Sequence, residues 1–243
     1  MPQSQAQAQA AERLTVFAAA SLKVPLEEIA VEFELYSGIP VDLSFAGSSL
    51  LARQLRFGAD ADVFLSANIA WSEWAADQGL LAEAPPLHWL TNRLVLVAAA
   101  NETTEFSLDK PEQLIEAVQE RPLAMGLVDA VPAGIYGRAA LVSQGLWDDM
   151  VPYVAQTDNV QAALALVSRG AARLGIVYAT DARNTDSIRV IATFPETSHP
   201  PIVYTAAATA AGDVKTANEF LLFLQSPASQ NILRQYGFGI GAE

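Results

Sequence analysis

A short apolar run, a small polar turn and then an amphipathic stretch follow one another again and again in this chain, and few folds accept that order. Thr15 to Ala19 is apolar with β-branched and aromatic members, which reads as a buried strand. Leu22, Leu26, Ile29, Ala30 and Phe33 then share one face at helical spacing. Ser21 stands at the corner and is a candidate N-cap. Ile39 to Phe45, alternating Val41, Leu43 and Phe45, reads as a second strand. Gly47-Ser48-Ser49 breaks it, and Leu50, Leu51, Gln54 and Leu55 begin a second helix. Asp62 to Ser66 and Asn68 to Gln78 repeat the unit, and Trp71 and Trp74, three apart on that helix, are expected in the core.

Pro85-Pro86 punctuates the chain. Beyond it, Arg93 to Ala100 reads as a continuous apolar strand, and Asp109-Lys110-Pro111 opens a helix with proline in the first turn. Leu123 to Val128 and Leu174 to Tyr178 read as strands, Ala133 to Gln144 and Asp158 to Arg169 as helices. Ser187 to Phe194 and Ile202 to Ala208 follow as strands, then Asp213 to Gln225 and Pro227 to Tyr236 as closing helices. Strands that alternate with helices imply an α/β fold, each sheet mostly parallel and flanked by helices. The units fall into two groups split near residue 90, which predicts two lobes. Residues 1–12 are expected to form a disordered leader, residues 13–90 with 195–243 lobe I, and residues 91–194 lobe II. A tail that returns to lobe I makes two crossings, with a ligand cleft between the lobes.

Charge narrows the function. The 243 residues carry 27 acidic and 14 basic side chains, a net charge of −13. That excludes nucleic acid, which needs basic patches, and adsorption to anionic membranes. There is no cysteine, hence no disulfide, thiolate metal site or cysteine nucleophile. No run approaches the roughly 20 apolar residues of a membrane span. The leader MPQSQAQAQAAE lacks the basic start and apolar middle of a signal peptide.

Four strand-to-helix corners share one chemistry. Ser21 is the first; a helix start carries unpaired N–H groups and partial positive charge, and so holds anions. Gly47-Ser48-Ser49 adds a backbone open to close approach and a hydroxyl donor. In Val131-Pro132-Ala133-Gly134 the proline has no N–H, so the first free amide is that of Ala133. In Asp158-Asn159-Val160-Gln161, Asp158 and Gln161 have the spacing of a capping box, and Val160 lies in the first turn. Tyr178 ends a strand where its phenol can reach the cleft. Each has a plain structural explanation, as loop, helix start or strand-end aromatic. Taken together they are all neutral donors at strand edges, where open α/β sheets bind ligands.

These segments carry a resemblance. Val16-Phe-Ala-Ala-Ala-Ser-Leu22, Phe45-Ala-Gly-Ser-Ser-Leu-Leu-Ala-Arg53, Ala61-Asp-Val-Phe-Leu-Ser-Ala67, Val131-Pro-Ala-Gly-Ile-Tyr136, Asn159-Val-Gln-Ala-Ala-Leu-Ala-Leu-Val167, Gly175-Ile-Val-Tyr178 and Arg234-Gln-Tyr-Gly-Phe238 together resemble the periplasmic molybdate-binding proteins of ABC importers. The resemblance implies a two-lobed periplasmic-binding-protein type II fold closing on molybdate or tungstate. It implies that the oxyanion is held by the N–H and hydroxyl of Ser21 and of Ser48, the N–H of Ala133, the N–H of Val160 and the Tyr178 hydroxyl. It also implies a monomer that works in the periplasm, its signal removed, with no cofactor, and that delivers its ligand to a membrane permease. Gly47 stands where that family often has serine.

A bare tetrahedral dianion offers only acceptors, so a site made of donors alone rejects phosphate, which is partly protonated and needs an acceptor. Asp129 and Asp158 are the carboxylates that would reverse this by pointing inward. Sulfate, an equally bare dianion, is the alternative ligand. A serine hydrolase using Ser21 or Ser48 is the alternative of another class. Against it stand the lack of a G-x-S-x-G elbow and only two histidines, His88 and His199, both in loop contexts. Those two do not make a metal-cation ligand set. The effector domain of a transcription factor can share such a fold, but needs a DNA-binding segment for which the leader is too short.

Overall fold

The computed structural model describes residues 13–82 and 85–241; the expected leader, residues 1–12, lies outside the described residues. The elements in chain order are β1 (Leu14–Ala19), α1 (Lys23–Ser37), β2 (Val41–Ala46), α2 (Ser48–Arg56), β3 (Val63–Ser66), α3 (Ile69–Asp77), β4 (Leu87–Thr91) and β5 (Leu94–Ala99). There follow α4 (Pro111–Glu120), β6 (Leu123–Gly126), α5 (Pro132–Ser143), α6 (Trp147–Met150), β7 (Val154–Thr157), α7 (Val160–Ser168), β8 (Leu174–Tyr178) and α8 (Ala179–Arg183). The chain ends with β9 (Ile188–Thr193), β10 (Val203–Ala208), α9 (Val214–Leu224), α10 (Pro227–Gln235) and β11 (Gly239–Ile240).

Two sheets organise two lobes. One has the order β11-β4-β10-β3-β1-β2, the other β7-β6-β8-β5-β9. The chain passes from the first to the second between β4 and β5 and returns between β9 and β10. Strand–helix alternation produces the parallel pairs: β1 with β2 and β3, and β6 with β7 and β8. The strands that enter each sheet from the other lobe, β10 and β5, run the other way. β10 pairs antiparallel with β3 and β4, and β5 antiparallel with β8 and β9, so both sheets are mixed. A strand that enters a sheet directly from the other lobe has no crossover helix to turn it parallel.

The packing follows the apolar pattern. Leu26, Ile29, Ala30 and Phe33 of α1 are buried, and Phe33 meets Phe220 of α9 edge-on at 5.0 Å. β5 lies inside its sheet, and Leu94, Val95, Leu96, Val97 and Ala98 are all buried, as an uninterrupted apolar run requires. Each of the larger side chains contributes roughly 1.5–3 kcal/mol on burial. The sequence pattern does not announce β4, β7 or β11. β7 and β11 are short, and β4 alternates His88, exposed, with Trp89, buried; His88 is therefore a strand residue rather than a loop residue. Trp71 and Trp74 are half-buried and pack against the smaller apolar cluster that includes Phe17, Leu51, Leu55 and Phe64, their rings edge to face at 5.4 Å.

Candidate functional site

Ser21, Ser48, Ala133, Val160 and Tyr178 all line one small cavity between the two sheets. Each arrives from the carboxyl end of a different strand. Ser21 lies in a 3-10 turn, Ala20–Leu22, directly after β1. Ser48 opens α2 after β2, with Gly47 at the cap position. Ala133 follows Pro132 at the start of α5, and Val160 opens α7 after β7. Tyr178 is the last residue of β8. The first amides of a helix have no acceptor within it, so the helix starts at Ser48, Ala133 and Val160 bring unpaired N–H groups and positive dipole ends to the wall of one cavity.

Glycine makes the α5 corner possible. A methyl group on Gly134 would lie 2.5 Å from the Leu127 carbonyl oxygen and closer still to that of Gly126. Only a residue without a side chain lets the amino end of α5 sit down on the end of β6, and this brings Ala133 into the cavity wall.

The hydroxyls are set by their other partners. Ser48 Oγ accepts the Ala67 N–H at 3.0 Å, which leaves its own proton free to donate. Ser21 Oγ lies 2.8 Å from Tyr204 Oη, and Asn92 Nδ2 donates to the same phenol oxygen at 3.3 Å. Either hydroxyl of the Ser21–Tyr204 pair can donate to the other, so the Ser21 proton is free for the cavity when Tyr204 is the donor. Tyr178 Oη is buried and has no hydrogen-bond partner among the described residues. Burial, then the neighbouring Tyr204, Tyr136 and Asp181, hold the Tyr178 phenol well above its usual range. It is therefore a neutral O–H that lacks an acceptor.

Two local expectations are corrected. Ser21 does not cap α1, because the chain enters that helix through the 3-10 turn and its hydroxyl is taken up by Tyr204, 183 residues away. Asp158 and Gln161 form no capping box. The cap of α7 is Asn159, whose Oδ1 accepts the Ala162 N–H at 2.9 Å, while Gln161 Nε2 donates to Asp181 at 2.6 Å. Asp181 is 4% exposed; burial pushes its carboxyl up to about 8, against the opposing hydrogen bonds from the Tyr178 N–H and Gln161. Tyr204, Asn92, Asn159 and Asp181 escape a reading of the sequence alone. The Asn159 cap is legible in the strand–Asn–helix order; the others belong to long-range pairings with no local signal.

Among the described residues no charged side chain lines the cavity. Asp129 is exposed and pairs with Arg138 at 2.6 Å, and Asp158 is exposed and accepts from Asn159 Nδ2 at 2.9 Å. Neither histidine reaches Ser21 or Ser48: His88 sits on β4 and His199 Nδ1 lies 2.8 Å from the Pro200 carbonyl oxygen. The free space in the cavity is about 10 Å³, far below the roughly 300–1,000 Å³ of sites for larger organic ligands. Its wall offers main-chain amides, hydroxyls and one side-chain amide and no carboxylate, a set that suits a small oxyanion.

Residues 14–239 match the family described as bacterial extracellular solute-binding protein. The chain is 40% identical over 229 residues to the molybdate-binding protein ModA of Escherichia coli (strain K12), covering 94% of this chain and 89% of that protein. It is 36% identical over 230 residues to the molybdate-binding protein ModA of Haemophilus influenzae, covering 94% and 91%. Among solved structures, the periplasmic molybdate-binding protein of Azotobacter vinelandii superposes with a TM-score of 0.82 at 23% identity, over 95% of this chain and 100% of that one. The sulfate-binding protein SubI of Mycobacterium tuberculosis shares the fold, with a TM-score of 0.73 at 14% identity over 93% and 86%. The chain belongs to the bacterial extracellular solute-binding proteins, in the group that includes the ModA proteins.

Proposed function

We propose that this protein binds molybdate, and tungstate with it, in the periplasm and hands the anion to the membrane permease of an ABC importer. The reading takes residues 13–90 with 195–243 as one lobe and residues 91–194 as the other, closing on the anion as a monomer. Its ligands are the N–H and hydroxyl of Ser21 and of Ser48, the amides of Ala133 and Val160, and the Tyr178 hydroxyl. The observation that carries it is the buried, unpartnered Tyr178 hydroxyl on a cavity otherwise walled by neutral donors. A buried O–H without an acceptor costs about 1–3 kcal/mol, and an anion oxygen removes that cost.

The energetics suffice. A hydrogen bond to a charged group contributes roughly 1.5–3 kcal/mol net. Five or so, less the cost of closure and desolvation, reach about micromolar affinity or better. The net charge of −13 repels an anion at long range, but salt screens it within about 8 Å, so the helix starts dominate locally. Sulfate offers the same acceptors as molybdate; only fit to the cavity separates the two.

Thermal unfolding with added anions tests the reading. Molybdate and tungstate raise the melting temperature, sulfate does so less, and phosphate leaves it unchanged. Equal stabilisation by phosphate overturns the donor-only site.

A further inference from the structure

Trp71 joins the lobes without touching the cavity. Its indole Nε1–H donates to the Ala130 carbonyl oxygen at 2.7 Å, from α3 beside the first sheet to the turn between β6 and α5 of the second. Trp71 is not among the residues that line the cavity. Its ring is held on both sides: the Arg53 guanidinium carbon lies 5.6 Å from the ring centroid, and Trp74 packs edge to face at 5.4 Å. Arg53 comes from α2, the helix that Ser48 opens. Ala130 belongs to a tight turn in which its own N–H and that of Val131 both return to the Leu127 carbonyl. Ala133 follows three residues later.

We propose that Trp71 is a positioning residue that latches the lobes shut and fixes the turn presenting the Ala133 amide, so that it sets how long the anion stays bound; the proposal rests on the molybdate-binding reading above. The bond exists only with the lobes together, because its two ends belong to different lobes. Opening breaks it and releases both groups to water. A latch of this kind acts on release rather than on encounter, since an arriving anion meets the cleft before the bond forms. The half-buried position suits a latch, because the indole is ordered by its neighbours yet free to rehydrate. Its N–H bond to a carbonyl also makes the emission of Trp71 report closure.

Trp71→Phe keeps a ring for Arg53 and Trp74 and removes only the N–H, and Trp74→Phe serves as the control. Molybdate release is measured by stopped-flow fluorescence and affinity by calorimetry, with the whole chain in each case. Trp71→Phe releases molybdate about three- to tenfold faster with an association rate within about twofold of wild type, while Trp74→Phe releases it at the wild-type rate. In the wild type and in Trp74→Phe, molybdate shifts the tryptophan emission; in Trp71→Phe most of that shift is gone. Wild-type release in a folded Trp71→Phe overturns the latch and leaves the anion site standing. A Trp71→Phe chain that does not fold leaves the emission test, in which loss of the molybdate shift from Trp74→Phe overturns the latch. A wild-type protein that does not bind molybdate overturns the latch together with the reading on which it rests.

Discussion

Gly47, on the wall of the cavity, and Asp158 meet backbone to backbone. A methyl group on Gly47 would lie 2.5 Å from the Asp158 carbonyl oxygen and 3.4 Å from Val131 Cγ2. Gly47 belongs to the corner after β2 and Asp158 to the corner after β7, so the contact is between lobes. Backbone meets backbone there, and neither side can yield by turning a side chain. The closeness of the two lobes at this point is therefore set by the missing Cβ of residue 47.

Gly47→Ala should hold the lobes apart. Overpacking costs typically about 1–3 kcal/mol, but here an open arrangement relieves it, so the cost falls on the closed, anion-bound form. The expected result is a molybdate affinity weakened about five- to 150-fold with the melting temperature of the ligand-free protein nearly unchanged. Calorimetric titration and thermal unfolding of the one variant measure both. An undiminished affinity shows that closure does not need this approach.

Tyr178→Phe should move stability and binding in opposite directions. The hydroxyl it removes is buried and unpartnered among the described residues. Deleting an unsatisfied polar atom relieves a cost of about 1–3 kcal/mol, so the free variant should melt at or above the wild-type temperature. In the proposed site the same hydroxyl donates to the anion, so its loss should weaken molybdate binding by about 1.5–3 kcal/mol. A lower melting temperature with unchanged affinity identifies the phenol as structural.

Ser48→Ala should differ from Tyr178→Phe, because the Ser48 oxygen plays two parts. It accepts the Ala67 N–H at 3.0 Å and has a proton left for the cavity. Removing it orphans the Ala67 amide and takes away a donor of the proposed site. Binding should weaken by about 1–3 kcal/mol, and the free protein should also lose about 1 kcal/mol or more. Paired thermal and calorimetric measurements separate this double loss from the opposed signs expected at Tyr178.

The corners of this site are legible in the sequence because their signals are local. An apolar run followed by Gly-Ser-Ser, or Pro-Ala-Gly at a helix start, is read within a few residues. Such patterns place Ser48 and Ala133 at strand-to-helix turns without any knowledge of the fold. Ser21 misleads as a helix cap for the converse reason: its partner Tyr204 lies 183 positions away and leaves no trace beside it. Trp71 and Trp74 have the spacing of a core pair and do pack against an apolar cluster, but spacing does not tell that the Trp71 N–H also reaches Ala130 in the other lobe. β4 and β7 escape because four or five residues with a polar member do not outweigh their surroundings.

Asp181 should make both stability and binding depend on pH, and the signs are fixed by its position. The carboxyl is buried, accepts from Gln161 Nε2 and the Tyr178 N–H, and keeps its proton in the folded chain until about pH 8, against a usual value of 3.8. Between those values the unfolded chain has lost a proton that the folded chain still holds. Fewer protons in the unfolded state mean that stability falls as pH rises through this window, and levels off above it. Glu102 acts in the opposite sense and elsewhere on the scale: hydrogen bonds from Thr104, with Arg173 adding to them, lower it from 4.5 to about 2, so its contribution is lost only as pH falls below the ordinary carboxylate range. Thermal unfolding from pH 5 to 9 should therefore show a decline that Asp181→Asn removes. Binding adds a second readout. Ionised Asp181 would place a negative charge against Tyr178, whose hydroxyl is proposed to hold the anion, so molybdate affinity should drop as pH passes about 8 in the wild type and stay level in Asp181→Asn. An equal drop in both proteins would assign the pH dependence to another group.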